Sequence, residues 1–217
     1  ALLALSLAAC GSRVETKKLA GTWTCTIDVT DRMNAAAEQA LGLSAADGTA
    51  QMPLQLVLTV TEDGAYTLRY DSDAARTALD AYAAALRPAA VESVYAAAEE
   101  QGLSREEYDA AMEKAGITMD DMVAAIFAGV DEEELLSLLT GRSAAITGYC
   151  RAESGQLYLA DTAAELAETA DCLSYTLSDG TMTWTDAQGE LSSQLTEQEQ
   201  ELLRVPLTWT KRAEESK

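Results

Sequence analysis

The stretch of sequence from Pro53 to Tyr70 reads PLQLVLTVTEDGAYTLRY and decides the fold. In its first half, apolar residues recur at every second position from Leu54 to Val60, which is typical of a β-strand with one buried face. Glu62-Asp63-Gly64 is a tight turn signal, and the second half alternates again from Tyr66 to Tyr70. The stretch therefore predicts an antiparallel β-hairpin.

The same alternation, rich in threonine, valine, leucine and aromatic residues, recurs along the rest of the chain. Together with the hairpin it predicts eight strands, at Gly21–Val29, Pro53–Thr61, Ala65–Tyr70, Ala144–Ala152, Gln156–Ala160, Cys172–Ser178, Thr181–Asp186 and Val205–Thr210. Each strand places an apolar row on one face. We expect these rows to share one core.

The connections between the predicted strands alternate in length. Tight, glycine-bearing turns join the second strand to the third, the fourth to the fifth and the sixth to the seventh, whereas the other connections are long. In an up-and-down meander alternate connections lie at opposite ends, so local turn chemistry and topology agree. Because closure removes exposed strand edges, we predict a mainly β fold, an eight-stranded antiparallel up-and-down barrel. The alternative is a two-sheet β-sandwich.

The longest connection predicts a helical insertion over residues 72–142, between barrel segments 19–71 and 143–212. Asp73–Leu86 is rich in alanine and favours a helix, which Pro88 is expected to kink or restart. Ser104 begins a capping box that opens a helix to about Ala115. Thr118 opens the next helix, and Asp131 caps a last one.

The composition of the N-terminal segment is typical of a processing signal. Leu7-Ala8-Ala9-Cys10 ends an apolar run and resembles the lipobox of bacterial lipoproteins. The resemblance implies cleavage before Cys10, so that residues 1–9 are the remnant of a signal peptide and residues 10–18 are a lipidated tether. Two acyl chains on Cys10 would hold the chain stably on a membrane. We expect an extracytoplasmic protein, lipid-anchored to a bacterial membrane; the alternative is ordinary secretory cleavage at an Ala-x-Ala site, with Cys10 incidental.

A second resemblance concerns the first strand. Gly21-Thr22-Trp23 is similar to the Gly-x-Trp of lipocalins, in which the tryptophan plugs the closed base of the barrel and a basic residue of the last strand packs over it. The resemblance implies a lipocalin-like barrel and a cation–π contact between Arg212 and Trp23. Thr30-Asp31-Arg32 also looks like a lipocalin motif, but it follows the first strand, where the family does not place it. The helical insertion is foreign to the family, so no ligand residue is carried over.

Composition excludes several classes of function. The chain has a net charge of −21 and no histidine. The missing histidine excludes Ser-His-Asp and Cys-His catalysis and His-ligated zinc or haem, and the acidity disfavours nucleic acid as a partner. The acidic clusters lack the spacing of an EF-hand. We therefore expect no metal, no cofactor and no enzymatic activity.

The inward rows include six bulky aromatic residues that are candidates for lining a cavity or filling the core. They are Trp23, Tyr66, Tyr70, Tyr175, Trp184 and Trp209. An eight-stranded barrel is just wide enough to be packed solid or to hold one small ligand. The bulk of this set favours a filled barrel.

The cysteines test the topology. If Cys10 carries lipid, Cys25, Cys150 and Cys172 remain, and at most one disulfide can form within the chain. The fourth and sixth strands of a meander lie about 9.6 Å apart, whereas a disulfide needs Cα atoms within about 7 Å. A bridge between Cys150 and Cys172 is therefore predicted absent.

Two functional hypotheses follow. The first is a membrane-anchored, lipocalin-like binding module for a small apolar ligand or an envelope protein, held at its closed end and open away from the membrane. The second is a filled barrel that presents the helical insertion as a structural or protein-interaction module without a small ligand. Its mark would be an exposed apolar patch, for which the candidates are Met112, Met119, Met122 and Phe127; packing of these residues between the helices is the alternative.

Overall fold

A computed structural model describes residues 15–43, 50–128, 145–168, 172–188 and 204–213. The chain divides into two compact units. One comprises residues 1–27, 55–71 and 140–217, and the other comprises residues 28–54 and 72–139. The first unit contains the β-sheet and the second contains the main helices.

The first unit is a closed barrel of eight antiparallel strands in the order β1 to β8. The strands are β1 (Gly21–Asp28), β2 (Pro53–Val60), β3 (Ala65–Tyr70), β4 (Ile146–Glu153), β5 (Gln156–Ala160), β6 (Cys172–Ser178), β7 (Thr181–Gln188) and β8 (Leu207–Lys211). Closure is made by β1 and β8, with Trp23 opposite Lys211 and Thr24 opposite Thr210. The predicted lipocalin-like barrel with inserted helices is confirmed, and the sandwich alternative is excluded.

The tight turns gather at one end of the barrel, as predicted. The β4–β5 turn has Ser154 at φ 52° and Gly155 at φ 77°, and the β6–β7 turn has Asp179 at φ 46° and Gly180 at φ 76°. Two consecutive positive φ angles are typical of the type I′ turn, whose twist matches that of the flanking strands. This end of the barrel is called the closed end below.

A short helix, α1, covers the closed end. Its described part is residues 15–19. Thr16 Oγ1 accepts a hydrogen bond of 3.0 Å from the Ala152 backbone N–H, and Glu15 accepts one of 2.7 Å from the Ser154 N–H in the β4–β5 turn. Residues 15–18, which the sequence analysis placed in the tether, are therefore part of the folded barrel unit.

Trp23 lies just inside this cover. Its indole Nε1 donates to the Leu19 carbonyl at 2.7 Å, and Lys211 Nζ lies 5.3 Å from the centre of its rings. The predicted partner, Arg212, was wrong: its guanidinium donates to Gln55 and Asp71 instead. Gly21, at φ +127°, leaves room for the lysine, because a Cβ there would lie 2.6 Å from Lys211 Cε.

The described part of the second unit contains four helices, which the chain enters after β1 and again after β3. They are α2 (Thr30–Leu41), α3 (Ser72–Glu100), α4 (Arg105–Ala115) and α5 (Met119–Phe127). The sequence analysis did not predict α2 and included its residues in barrel segment 19–71, whereas α2 groups with the other helices.

The predicted helix starts at Ser104 and Thr118 are confirmed, whereas the predicted restart at Pro88 is not. The capping boxes at Ser104 and Thr118 are formed. A kink or a restart was expected at Pro88, and the restart was wrong because Pro88 lies inside α3 without ending it. The alanine-rich sequence on both sides favours a helix strongly enough to continue despite the one hydrogen bond that proline removes. The helix predicted from Asp131 lies outside the described residues.

Within the described part of the chain, no helix is both long enough and apolar enough to cross a membrane.

Candidate functional site

The six aromatic residues proposed as core or cavity-lining all belong to the barrel interior. Trp23, Trp184 and Trp209 are buried members of one apolar cluster, and Tyr66, Tyr70 and Tyr175 are partly buried and pack against it. The cluster also takes in the apolar rows of all eight strands. The sequence-predicted residues are thus brought together by closure of the sheet.

Bulky side chains pack closely in the barrel interior. The rings of Trp184 and Trp209 lie 4.8 Å apart at an interplanar angle of 49°. The Tyr66 ring lies over Gly148 on the neighbouring strand, where a Cβ would come within 2.9 Å of the ring. Ala152 and Met182 are fully buried beside them. Side chains from every strand therefore pack together in one apolar cluster inside the barrel.

Polar groups in this interior are few. Among the described residues, Trp184 Nε1 and Trp209 Nε1 are buried without a hydrogen-bond partner. Burial raises the pKa of the Tyr66 hydroxyl to about 12, with the neighbouring Cys150 and Asp161 adding to the effect. A neutral phenol and two indoles can donate hydrogen bonds, but they offer no charge for recognising or transforming a substrate.

Cys25, Cys150 and Cys172 are buried, and no disulfide joins any two of them. Burial raises the pKa of the Cys150 thiol to about 12 and also raises the pKa of Cys25. The thiolate is the reactive form of cysteine, so neither side chain is poised as a nucleophile. Cys172 is next to Leu173, which belongs to the barrel core. The Cys172 Sγ donates a hydrogen bond of 3.3 Å to Gln156 Oε1.

The described residues contain no group of three acidic or cysteine side chains that could hold a metal ion.

The helical unit contains an apolar pocket that the sequence analysis missed. Its volume is about 150 Å³, and it lies between α2, α3 and α5. Most of the lining is aliphatic or aromatic, with Met33, Ala37 and Leu41 from α2, Leu79, Tyr82 and Leu86 from α3, and Phe127 from α5. Tyr82 is held in place because its hydroxyl donates to Asn34 Oδ1 at 2.7 Å.

The pocket depends on α2, and this explains why sequence analysis did not find it. Ala78, Leu79, Tyr82 and Leu86 have helical spacing on α3, but nothing local shows which segment they face. Of the candidate patch residues, Met119 and Phe127 pack against Leu43, Ala90 and Val123, while Met112 and Met122 are half-buried. A signal was available in α2 itself, where Met33, Ala37 and Leu41 recur at intervals of four.

Comparison of the chain with models of known protein families, with curated proteins and with solved structures finds no match. The function is therefore argued from the geometry of the chain alone.

Proposed function

We propose that this chain is a lipid-anchored, extracytoplasmic binding module in which the lipocalin-like barrel is a support and the binding site lies outside the barrel interior. The observation that carries the proposal is the full burial of bulky side chains inside the barrel. Trp209 and Met182 are 0% exposed and Trp23 is 1% exposed. In an interior packed at the density of organic crystals, a ligand would have to displace side chains that hold the barrel together.

Two features support the membrane anchor. Leu7-Ala8-Ala9-Cys10 has the lipobox pattern, and the helix that covers the closed end is already formed at Glu15. Five residues of fully extended chain span about 17 Å, so lipid on Cys10 would hold the closed end near the bilayer surface. The proposed partners are the membrane, through Cys10, and a small apolar ligand.

The anchor is tested by expressing the chain in a bacterium behind an intact lipoprotein signal peptide. We expect a membrane-bound protein whose N-terminal peptide carries diacylglycerol on Cys10, detected by mass spectrometry. The Cys10→Ser variant should appear in the soluble extracytoplasmic fraction. Membrane retention of that variant, or a mature N-terminus away from Cys10, would contradict the anchor.

The filled interior is tested by overpacking. Ala152 is fully buried on an inward position of β4, and we expect Ala152→Leu to lower the free energy of unfolding by about 1–3 kcal/mol, the usual cost of extra methylenes in a packed core. Thr26→Leu is the control, because Thr26 is exposed on β1. Urea denaturation that shows Ala152→Leu to be as stable as Thr26→Leu would mean that the interior has free volume, and would count against the proposal.

A further inference from the structure

We infer that the pocket of the helical unit binds a small apolar molecule that carries a single positive charge, such as an alkylammonium ion. The inference rests on the proposed binding role and names its site and its ligand class. It does not depend on the lipid anchor, so the two can fail separately.

The apolar part of the ligand follows from the pocket wall. Met33, Leu79, Leu86 and Phe127 come from three helices and line an open pocket of about 150 Å³. An apolar cavity of this size accommodates a group about as large as benzene. The pocket would therefore bind a short alkyl chain or a single ring. Removal of that group from water would be the main source of binding free energy.

The charge of the ligand follows from Asp80. Among the described residues lining the pocket, Asp80 is the one that carries a charge at neutral pH, and it is exposed. No described residue forms an ion pair with it, whereas Arg87, two helical turns further along α3, is paired with Asp120. An ammonium group at the pocket mouth would form an ion pair with the Asp80 carboxylate, while the apolar tail of the ligand occupies the pocket.

The charge of the whole chain points the same way. A net charge of −21 raises the local concentration of small cations and lowers that of anions. A fatty-acid carboxylate would meet Asp80 with like charge and find no basic residue in the described lining. Among ligands with the same tail, the expected order of affinity is cation, then neutral alcohol, then anion.

The test uses the single phenylalanine of the chain. Protein labelled with 4-fluorophenylalanine has one ¹⁹F resonance, at Phe127 in the pocket wall, and it is titrated with hexylammonium, hexan-1-ol and hexanoate. We expect saturable shifts of this resonance, with hexylammonium binding most tightly and hexanoate most weakly. Asp80→Asn should weaken hexylammonium up to about five-fold, the scale of a solvent-exposed ion pair, and should leave hexan-1-ol unchanged. Glu100→Gln removes the same charge at the far end of α3 and should change neither affinity.

Filling the pocket provides the second arm. Ala83→Leu, in the lining, should abolish the hexylammonium shift, while Ala84→Leu, exposed on the same helix, should retain it. If circular dichroism shows that Ala83→Leu is unfolded, Ala36→Leu fills the same pocket from α2. Hexanoate binding as tightly as hexylammonium, an unmoved Phe127 resonance, or equal effects of Asp80→Asn and Glu100→Gln would overturn the inference.

Discussion

At the scale of single residues, the cation–π contact of Trp23 shows how the alternation of side chains along a strand selects the contacting residue. The lipocalin resemblance implied a basic residue over this tryptophan, and Lys211 rather than Arg212 provides it. Trp23 and Lys211 are directly opposite in the β1–β8 pairing. Because side chains alternate between faces, a shift of one residue along β8 moves a side chain to the other face. The type of contact was thus predictable, and the alternation through Leu207 and Trp209 places Lys211 rather than Arg212 on the inward face of β8.

The three indole N–H groups of the barrel lead to a prediction. Trp23 donates to the Leu19 carbonyl at 2.7 Å, whereas the Trp184 N–H has no partner among the described residues. Both Trp→Phe substitutions remove similar volume from the core, but only Trp23→Phe breaks a hydrogen bond and leaves a buried carbonyl unpaired. We expect it to cost about 1–3 kcal/mol more than Trp184→Phe, measured by urea denaturation.

Equal costs for the two substitutions would contradict this difference. They would mean that the Trp184 N–H also has an acceptor inside the barrel. Trp209→Phe is the internal control, because the Trp209 N–H is also buried without a partner among the described residues. This substitution should cost about as much as Trp184→Phe.

At the scale of elements, strands were more predictable than helices. β3, β5 and β6 begin and end where the alternation predicts, because period-two burial and glycine turns are both local signals. α2 was missed because its sequence, TDRMNAAAEQAL, has a broad alanine face whose burial depends on α3. Residues 73–100 were predicted in pieces because Pro88 signals a local break that the surrounding alanines override.

The capping boxes of α4 and α5 predict a dependence of stability on acid. Hydrogen bonds from the Ser104 backbone N–H and hydroxyl lower the pKa of Glu107, and the Thr118 hydroxyl and backbone N–H lower that of Asp121. A carboxyl group whose pKa is lower in the folded state stabilises the fold fully above its unfolded pKa. That contribution disappears as the pH falls through the lowered value. The helical unit should therefore lose stability below about pH 4, near the ordinary pKa of such carboxyls.

Thermal unfolding followed by circular dichroism between neutral pH and pH 2 tests this. Glu107→Gln keeps a side-chain oxygen that can accept the Ser104 hydrogen bonds but cannot titrate, so its loss of stability with acid should be smaller than in the parent protein. Glu106→Gln is the matched control, because Glu106 lies in the same turn outside the box. An acid dependence changed equally by both variants would refute a role for the box.

At the scale of the whole molecule, closure of the barrel was predictable and assembly of the helical unit was not. Alternating short and long connections place the glycine turns of β4–β5 and β6–β7 at one end whatever the long segments contain, and the closed strand order agrees. The pocket joins Met33 to Leu79 and Phe127; periodicity can indicate the apolar face of each helix, but it does not show which helices face each other. The most informative site was therefore visible only in three dimensions.

The central claim is that the barrel interior is filled and that ligand binding takes place among the helices. All three tryptophans lie in the barrel interior and the single phenylalanine lies in the pocket, so ¹⁹F labels report the two places separately. In protein carrying 5-fluorotryptophan and 4-fluorophenylalanine together, saturating hexylammonium should move the Phe127 resonance and leave the three tryptophan resonances in place. Movement of the Trp184 or Trp209 resonance with an unmoved Phe127 resonance would place the ligand inside the barrel and contradict the claim.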